Sequence, residues 1–464
     1  MIKTSLRLAV LLLPLVIEPA AAATLLDIYE RALLSDPQLR EAEANRLAAI
    51  EAKPQAIALL LPQVDATANY DDQTSTGSRV TSFGGVPATT VFDNQTDGWT
   101  WGVQLRQTLF RWDQFVQLRQ ASKEVAKADI DYRSAQQDLI VRVARAYFDV
   151  LAAQDTLESE QAAKEAIGRQ LEQAKKRFEV GLIAITDVQE AQAAYDDAVA
   201  AEIVAKRSLA NQREVLREIT GQYTKRLAAP REQIPLLAPD PADENQWVEV
   251  ALQQNAALLS ADLAAEIARH DVDIARNGHL PTVDLVVGYR ETDVSGTGVS
   301  SGTALPNPIT SPLGTESEDE SISVQFALPL FSGGAVSSRV KQASYRHRAA
   351  KEQLERVARE TERQARDAYL GVISEISRVK ALRQALASAQ TALEATEAGF
   401  EVGTRTTVDV LDARRALLLA ETNYARSRYD YIINVLLLKQ AAGTLTAADL
   451  AEINGWLDSG QPGS

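Results

Sequence analysis

The sequence predicts a mixed α and β membrane protein whose chains each lend four strands to a shared transmembrane barrel, continued by long helical coiled-coil hairpins. Three observations predict it. Four short segments alternate apolar and polar residues with period two, the mark of strands with one apolar and one wet face. Two stretches, Trp112 to Lys176 and Ala335 to Ala398, contain no proline and are dense in Ala, Gln, Glu, Arg and Leu, which favour helix. The whole pattern also occurs twice: Arg177-Phe-Glu-Val-Gly-Leu-Ile-Ala-Ile-Thr-Asp187-Val returns as Gly399-Phe-Glu-Val-Gly-Thr-Arg-Thr-Thr-Val-Asp409-Val, an offset of 400 − 178 = 222 residues. Ala146-Tyr147 and Ala368-Tyr369 keep that offset, and Leu61-Pro62 with Leu280-Pro281 come close to it at 219. Such a period is far beyond the ~20–50 residues of solenoid repeats, so one large unit has been copied once.

In chain order, residues 1–23 read as a signal peptide: Lys3 and Arg7, an apolar run from Leu8 to Ile17, then Ala-rich residues suited to cleavage. The mature chain is expected to begin near Ala23 or Thr24. Residues 24–229 form the first repeat, 230–243 a proline-rich linker, 244–442 the second repeat, and 443–464 a C-terminal equatorial segment and flexible tail. Within the repeats, helices at Leu25 to Ala58 and Asn245 to Asn277 lead into strands through Pro62 and Pro281. Val64, Ala66, Ala68 and Tyr70 share one strand face, as do Trp99, Trp101, Val103 and Leu105. The second copy does the same with Val283, Leu285, Val287 and Tyr289, then Ile322, Val324, Phe326 and Leu328. Asp71 to Asp97 and Thr292 to Glu320, rich in Gly, Ser, Thr and Pro, are expected to be polar loops. Each long stretch, extending on the order of 95 Å as helix, turns back at Gly181 or Gly403, where glycine suits a helix C-terminal cap.

Period-two alternation alone fits a soluble antiparallel sheet packed on helices as well as a membrane barrel. The polar loops, and aromatics placed for an interfacial belt (Tyr70, Trp99, Trp101 and Tyr289), favour the barrel. Four strands cannot close, and an open edge in lipid costs several kcal/mol per unpaired backbone group. Three copies give twelve strands and a wet interior, whereas eight would be filled by side chains. The composition excludes other classes. With 48 Lys+Arg against 63 Asp+Glu, a net charge of −15, the chain lacks the cationic stripe that grips nucleic acid. Zero Cys removes disulfides and thiolate chemistry, and three scattered His offer no metal spacing, so no cofactor is expected.

The blocks around Val180-Gly181 and Val402-Gly403, with His279-Leu-Pro-Thr and Ala441-Ala-Gly-Thr-Leu-Thr, resemble the TolC family of outer membrane factors over about Thr24 to Leu450. The resemblance implies a homotrimer in outer-membrane lipid that extends into the periplasm as an α-helical barrel. It implies an exit duct for efflux or type I secretion, working with a periplasmic adaptor and an inner-membrane RND, ABC or MFS pump. The lack of Cys suits the family's unlipidated branch. It implies a pore constriction at Asp409 and Asp412, which lie three apart on one helix face and number six in a trimer; such a ring favours cations. Taken without the resemblance, that pair reads as a solvated helix face. The resemblance further implies a gate latch at Thr186, Asp187, Phe400 and Arg405, whose planar guanidinium can bridge a hydroxyl and a carboxylate. Phe400 departs from the family's Tyr and removes one hydroxyl from that latch. Adaptor-docking tips are implied at Val180, Gly181, Leu182, Val402, Gly403 and Thr404.

No enzyme is expected. Gly298-Val-Ser300-Ser-Gly302 satisfies the hydrolase Gly-x-Ser-x-Gly string, but a nucleophile elbow must follow a strand and open a helix, and a proline-rich segment follows here. Glu316, Glu318, Asp319 and Glu320 read as an acidic loop facing solvent. A soluble periplasmic coiled-coil adaptor or scaffold is the alternative from another class.

Overall fold

The computed structural model describes residues 22–83, 85–231, 234–303 and 305–458. The expected signal peptide, apart from Ala22 and Ala23, and tail residues 459–464 lie outside the described residues. The first repeat folds as α1 (Leu25–Ser35), α2 (Pro37–Ile50), α3 (Ala52–Ala58), β1 (Gln63–Phe83), β2 (Val86–Phe110), α4 (Trp112–Glu179) and α5 (Ile185–Thr220). After β3 (Ala229–Pro230), the same order returns as α6 (Glu244–Gln254), α7 (Ala256–Asn277), β4 (Thr282–Gly302), β5 (Leu305–Ala327), α8 (Ala335–Glu401) and α9 (Thr407–Ala441). The chain closes with α10 (Ala447–Asn454) and β6 (Leu457–Asp458). No helix among the described residues is long and apolar enough to cross a membrane.

Two expectations need correction. The single helices expected before the strands are broken, at the same relative place in each copy. Asp36 stops α1 with an extended backbone (ψ 119°), and Pro37 opens α2, since the residue before a proline avoids the helical region. Its carboxylate then accepts from the Leu39 N–H at 2.9 Å. Asn255 does the same 219 residues later, ending α6 at ψ 124° and accepting from the Leu258 N–H at 3.1 Å. The second correction is larger: the expected polar loops are strands. β1 pairs with β2 from Gln63↔Arg106 to Phe83↔Val86 without a break, and β4 pairs with β5 from Thr282↔Ala327 to Gly302↔Leu305 with one irregularity. Their Thr and Val residues suit a pleated backbone. With both faces wet, they lack the apolar alternation by which a strand is read.

The described residues fall into two compact units. One holds residues 45–129 and 260–355, with a four-stranded antiparallel sheet in the order β1-β2-β4-β5. Its strands of 21, 25, 21 and 23 residues greatly exceed the ~9–11 that cross a bilayer. Central strands approach closely at glycine: a Cβ on Gly296 would stand 2.1 Å from the Gln95 carbonyl oxygen of β2. The other unit holds residues 22–44, 130–259 and 356–458. Its core joins Leu139, Val143, Tyr147 and Phe148 of α4 to Ile28 of α1, Leu216 of α5, Ile432 and Leu436 of α9 and Leu450 of α10. The linker and C-terminal segment pack onto this core. β3 pairs with β6, the Tyr147 hydroxyl donates to the Ala228 carbonyl at 2.5 Å, and the Tyr431 hydroxyl donates to the Leu237 carbonyl at 3.0 Å.

Candidate functional site

Strand register assembles one apolar face on the sheet. Val64, Leu105, Val287 and Ile322 stand in one row, and Ala66, Val103, Tyr289 and Glu320 in the next. The four residues expected to form an aromatic belt meet there in pairs: Tyr70 and Trp99 have ring centroids 4.9 Å apart, Trp101 and Tyr289 5.4 Å. Among the described residues nothing covers the face, with Trp99 59% exposed and Ile322 79%. Its upper edge is slanted. The apolar run reaches the row of Tyr70 and Trp99 on β1 and β2, stops two rows earlier at Tyr289 on β4, and three rows earlier at Ile322 on β5. Strands tilted to a membrane normal require such a stepped edge. Beyond it the same face carries Glu291, Asp293, Glu316 and Glu318, so the expected acidic loop is the outer part of strands. The opposite face is polar, with Asp65, Thr67, Gln104, Arg290 and Ser321 lining one hollow.

At the base of the polar face Asp284 is buried, accepting from Thr108 Oγ1 at 3.3 Å and from Arg111 Nη2 at 3.2 Å. Ser300 lies within β4, and the chain turns from there into β5. It therefore lacks the strand-to-helix turn that a nucleophile elbow needs.

The hairpin turns form the second region. Gly181 and Gly403 adopt left-handed φ of 76° and 78°. The Leu182 N–H donates to the Arg177 carbonyl and the Gly181 N–H to the Phe178 carbonyl, each at 2.9 Å, which is the Schellman arrangement. In the second copy the Thr404 N–H donates to the Gly399 carbonyl at 2.8 Å. These caps leave Val180, Leu182 and Val402 exposed at the turns, at 69%, 72% and 75%.

The helices that leave the turns are capped by acidic residues. Asp409 Oδ2 accepts from the Thr406 N–H at 2.8 Å and the Thr406 hydroxyl at 2.9 Å, while Thr406 Oγ1 accepts from the Asp409 N–H at 3.2 Å. This is a capping box closed by Asp. The Thr406 N–H above all, then its hydroxyl and the Arg405 charge, hold the Asp409 carboxyl below the usual carboxylate range. Asp187 caps α5 more simply, its Oδ2 accepting from the Ala184 N–H at 3.3 Å, with Thr186 beside it in the first turn. Within one chain, Arg405 lies 4.0 Å from Asp409, and Asp412 lies 3.8 Å from Arg415. Phe400 stacks beneath the Arg177 guanidinium, 4.6 Å from ring centroid to Cζ, joining the ends of α8 and α4.

Sequence reasoning missed Arg177, Arg415 and a buried carboxylate inside the α4/α5 hairpin. That carboxylate, Glu202, accepts from Lys164 at 2.8 Å, pairs with Lys206 at 2.7 Å and is held down to about 2, chiefly by the Lys164 hydrogen bond and then that of Lys206. Arg415 was findable, standing i+3 from Asp412, and so was the Glu202 and Lys206 pair at i+4; Lys164 with Glu202 and Arg177 with Phe400 join residues farther apart in sequence.

Comparison with known proteins agrees with this architecture. The family model for outer membrane efflux proteins matches residues 28–222 and 247–444. Outer membrane protein TolC of Vibrio cholerae is 40% identical over 444 residues, covering 94% of each chain. The alkaline protease secretion protein AprF of Pseudomonas aeruginosa is 31% identical over 454 residues, covering 96% of this chain and 89% of its own. Among solved structures, the CmeC outer membrane channel of Campylobacter jejuni superposes with a TM-score of 0.72 at 18% identity, covering 94% of this chain and 90% of that one, a likeness of fold. With both repeats matched and a relative this similar along nearly its full length, the chain belongs to the outer membrane efflux protein family.

Proposed function

We propose that this protein is the outer-membrane exit duct of a tripartite efflux pump or type I secretion system, built as a homotrimer. The observation that carries the reading is a sheet that, among the described residues, has an uncovered apolar face and two unpaired edges, β1 and β5. Lipid tolerates neither edge, since each unpaired backbone group costs several kcal/mol there. Pairing β5 of one copy with β1 of the next closes twelve strands, turns the apolar band to lipid with Tyr70, Trp99, Trp101 and Tyr289 at its interface, and encloses the polar face as a water path.

In this reading the hairpins form a periplasmic tunnel. Asp409 and Asp412 of three copies ring its constriction, and Arg405 of one copy latches onto Thr186 and Asp187 of its neighbour. Phe400 contributes an intrachain contact to Arg177 in place of a hydroxyl bond. The turns at Val180-Gly181-Leu182 and Val402-Gly403-Thr404 present small and apolar residues on which the helices of a periplasmic adaptor can seat, joining the duct to an inner-membrane RND, ABC or MFS pump.

Fractionation tests the proposal. The channel is expected as a heat-modifiable trimer in the outer membrane that needs detergent to be extracted. Release by osmotic shock as a detergent-free monomer would overturn it in favour of a soluble periplasmic scaffold.

A further inference from the structure

Arg415 lies on α9 one helical turn beyond Asp412. Its Nη1 is 3.8 Å from Asp412 Oδ1, and its Nη2 is 3.6 Å from Asp197 Oδ2 on α5. The neighbouring carboxylate, Asp409, is already held by Thr406 and faces Arg405 at 4.0 Å. Each chain thus sets two guanidinium charges against the two carboxylates of this helix segment. The side chains of Arg415, Asp412 and Asp197 are 56%, 67% and 78% exposed in the single chain. Pairs this exposed contribute little to stability. Their consequence is electrostatic, because a positive charge about 4 Å from a carboxylate turns a monopole into a dipole whose potential is weaker and falls off faster with distance.

We propose that Arg415 is a specificity-determining residue of the constriction: it offsets Asp412, so the ring attracts cations less strongly than six bare carboxylates would. A guanidinium does not titrate in the working range, so the offset is permanent. Through Asp197 the same side chain is held toward α5. The inference rests on the reading of Asp409 and Asp412 as the pore constriction.

The test uses the full-length channel in planar bilayers, with reversal potential measured across a KCl gradient and La³⁺ titrated as a blocking cation at low salt, where screening is weakest. Arg415→Gln is expected to move the reversal potential toward that of an ideal cation channel. It should also lower the half-blocking La³⁺ concentration by more than about tenfold, since each of the three charges removed, at roughly 8 Å from a trivalent ion in water, accounts for about tenfold by itself. Arg415→Lys should keep wild-type values because the charge remains. Arg415→Met repeats the charge removal should the Gln variant assemble poorly. Wild-type reversal potential and block in both Arg415→Gln and Arg415→Met, together with weakened block in the Asp409→Asn/Asp412→Asn double variant, would overturn the role of Arg415 and leave the constriction standing. Unchanged block in the double variant would overturn the constriction itself, and this inference with it.

Discussion

Val103 and Gln104 are neighbours on central strand β2, and both are exposed in the single chain. Val103 stands on the apolar face opposite Ala66 and Tyr289, whereas Gln104 stands on the polar face opposite Asp65. On a soluble sheet with both faces in water an arginine at either position would alter stability by no more than about 0.5 kcal/mol. In a barrel the two must differ. Val103 lies two rows inside the Tyr70 and Trp99 edge, toward the middle of the apolar band, where an arginine facing lipid costs about 2–4 kcal/mol. That corresponds to roughly 30- to 900-fold in the folding equilibrium per copy, and a trimer carries the cost three times. Gln104→Arg instead meets the polar face, near Asp65, and should fold like wild type while shifting selectivity toward anions. Folding into lipid vesicles, followed by Trp99 and Trp101 emission and by yield of the heat-modifiable trimer, measures the contrast. Equal loss in the two variants, or greater loss for Gln104→Arg, would refute the assignment of faces and with it the barrel.

Arg405→Ala and Asp187→Ala should each raise single-channel conductance in planar bilayers, because either would remove the proposed interchain latch; unchanged conductance in both would rule it out. Arg142→Met leaves Asp36 buried without the two guanidinium hydrogen bonds it accepts at 3.1 and 2.7 Å, so it should cost about 3–5 kcal/mol, seen as lost amide protection at the start of α2. Glu202 has a folded pKa of about 2 against an ordinary 4.5, so its stabilising contribution is complete above pH 4.5 and is lost as pH falls toward 2. Glu202→Gln should therefore reduce hydrogen-exchange protection of the α4/α5 hairpin at pH 7, with the difference from wild type vanishing near pH 2.

What was legible in the chain alone follows the range over which each signal acts. Gly181 and Gly403 announce helix ends because a left-handed residue is a local need, and the strands at Val64 to Tyr70 and Trp99 to Leu105 announce themselves because one face is apolar. Ser75, Thr76 and Asn94 pair in β1 and β2 with no such contrast between faces, so paired strand and polar loop read alike there. Arg177 against Phe400 and Arg415 against Asp197 join residues more than two hundred positions apart, where no periodicity reaches. A third group of signals is legible only as incompleteness: unpaired edges on β1 and β5, an uncovered apolar band, and exposed Val180, Leu182 and Val402 at capped turns. A lone soluble fold would be penalised for each of these. In a chain whose edges, band and turns are met by sister copies, lipid and a docking partner in turn, the same features stop being defects and become the specification of what must surround it.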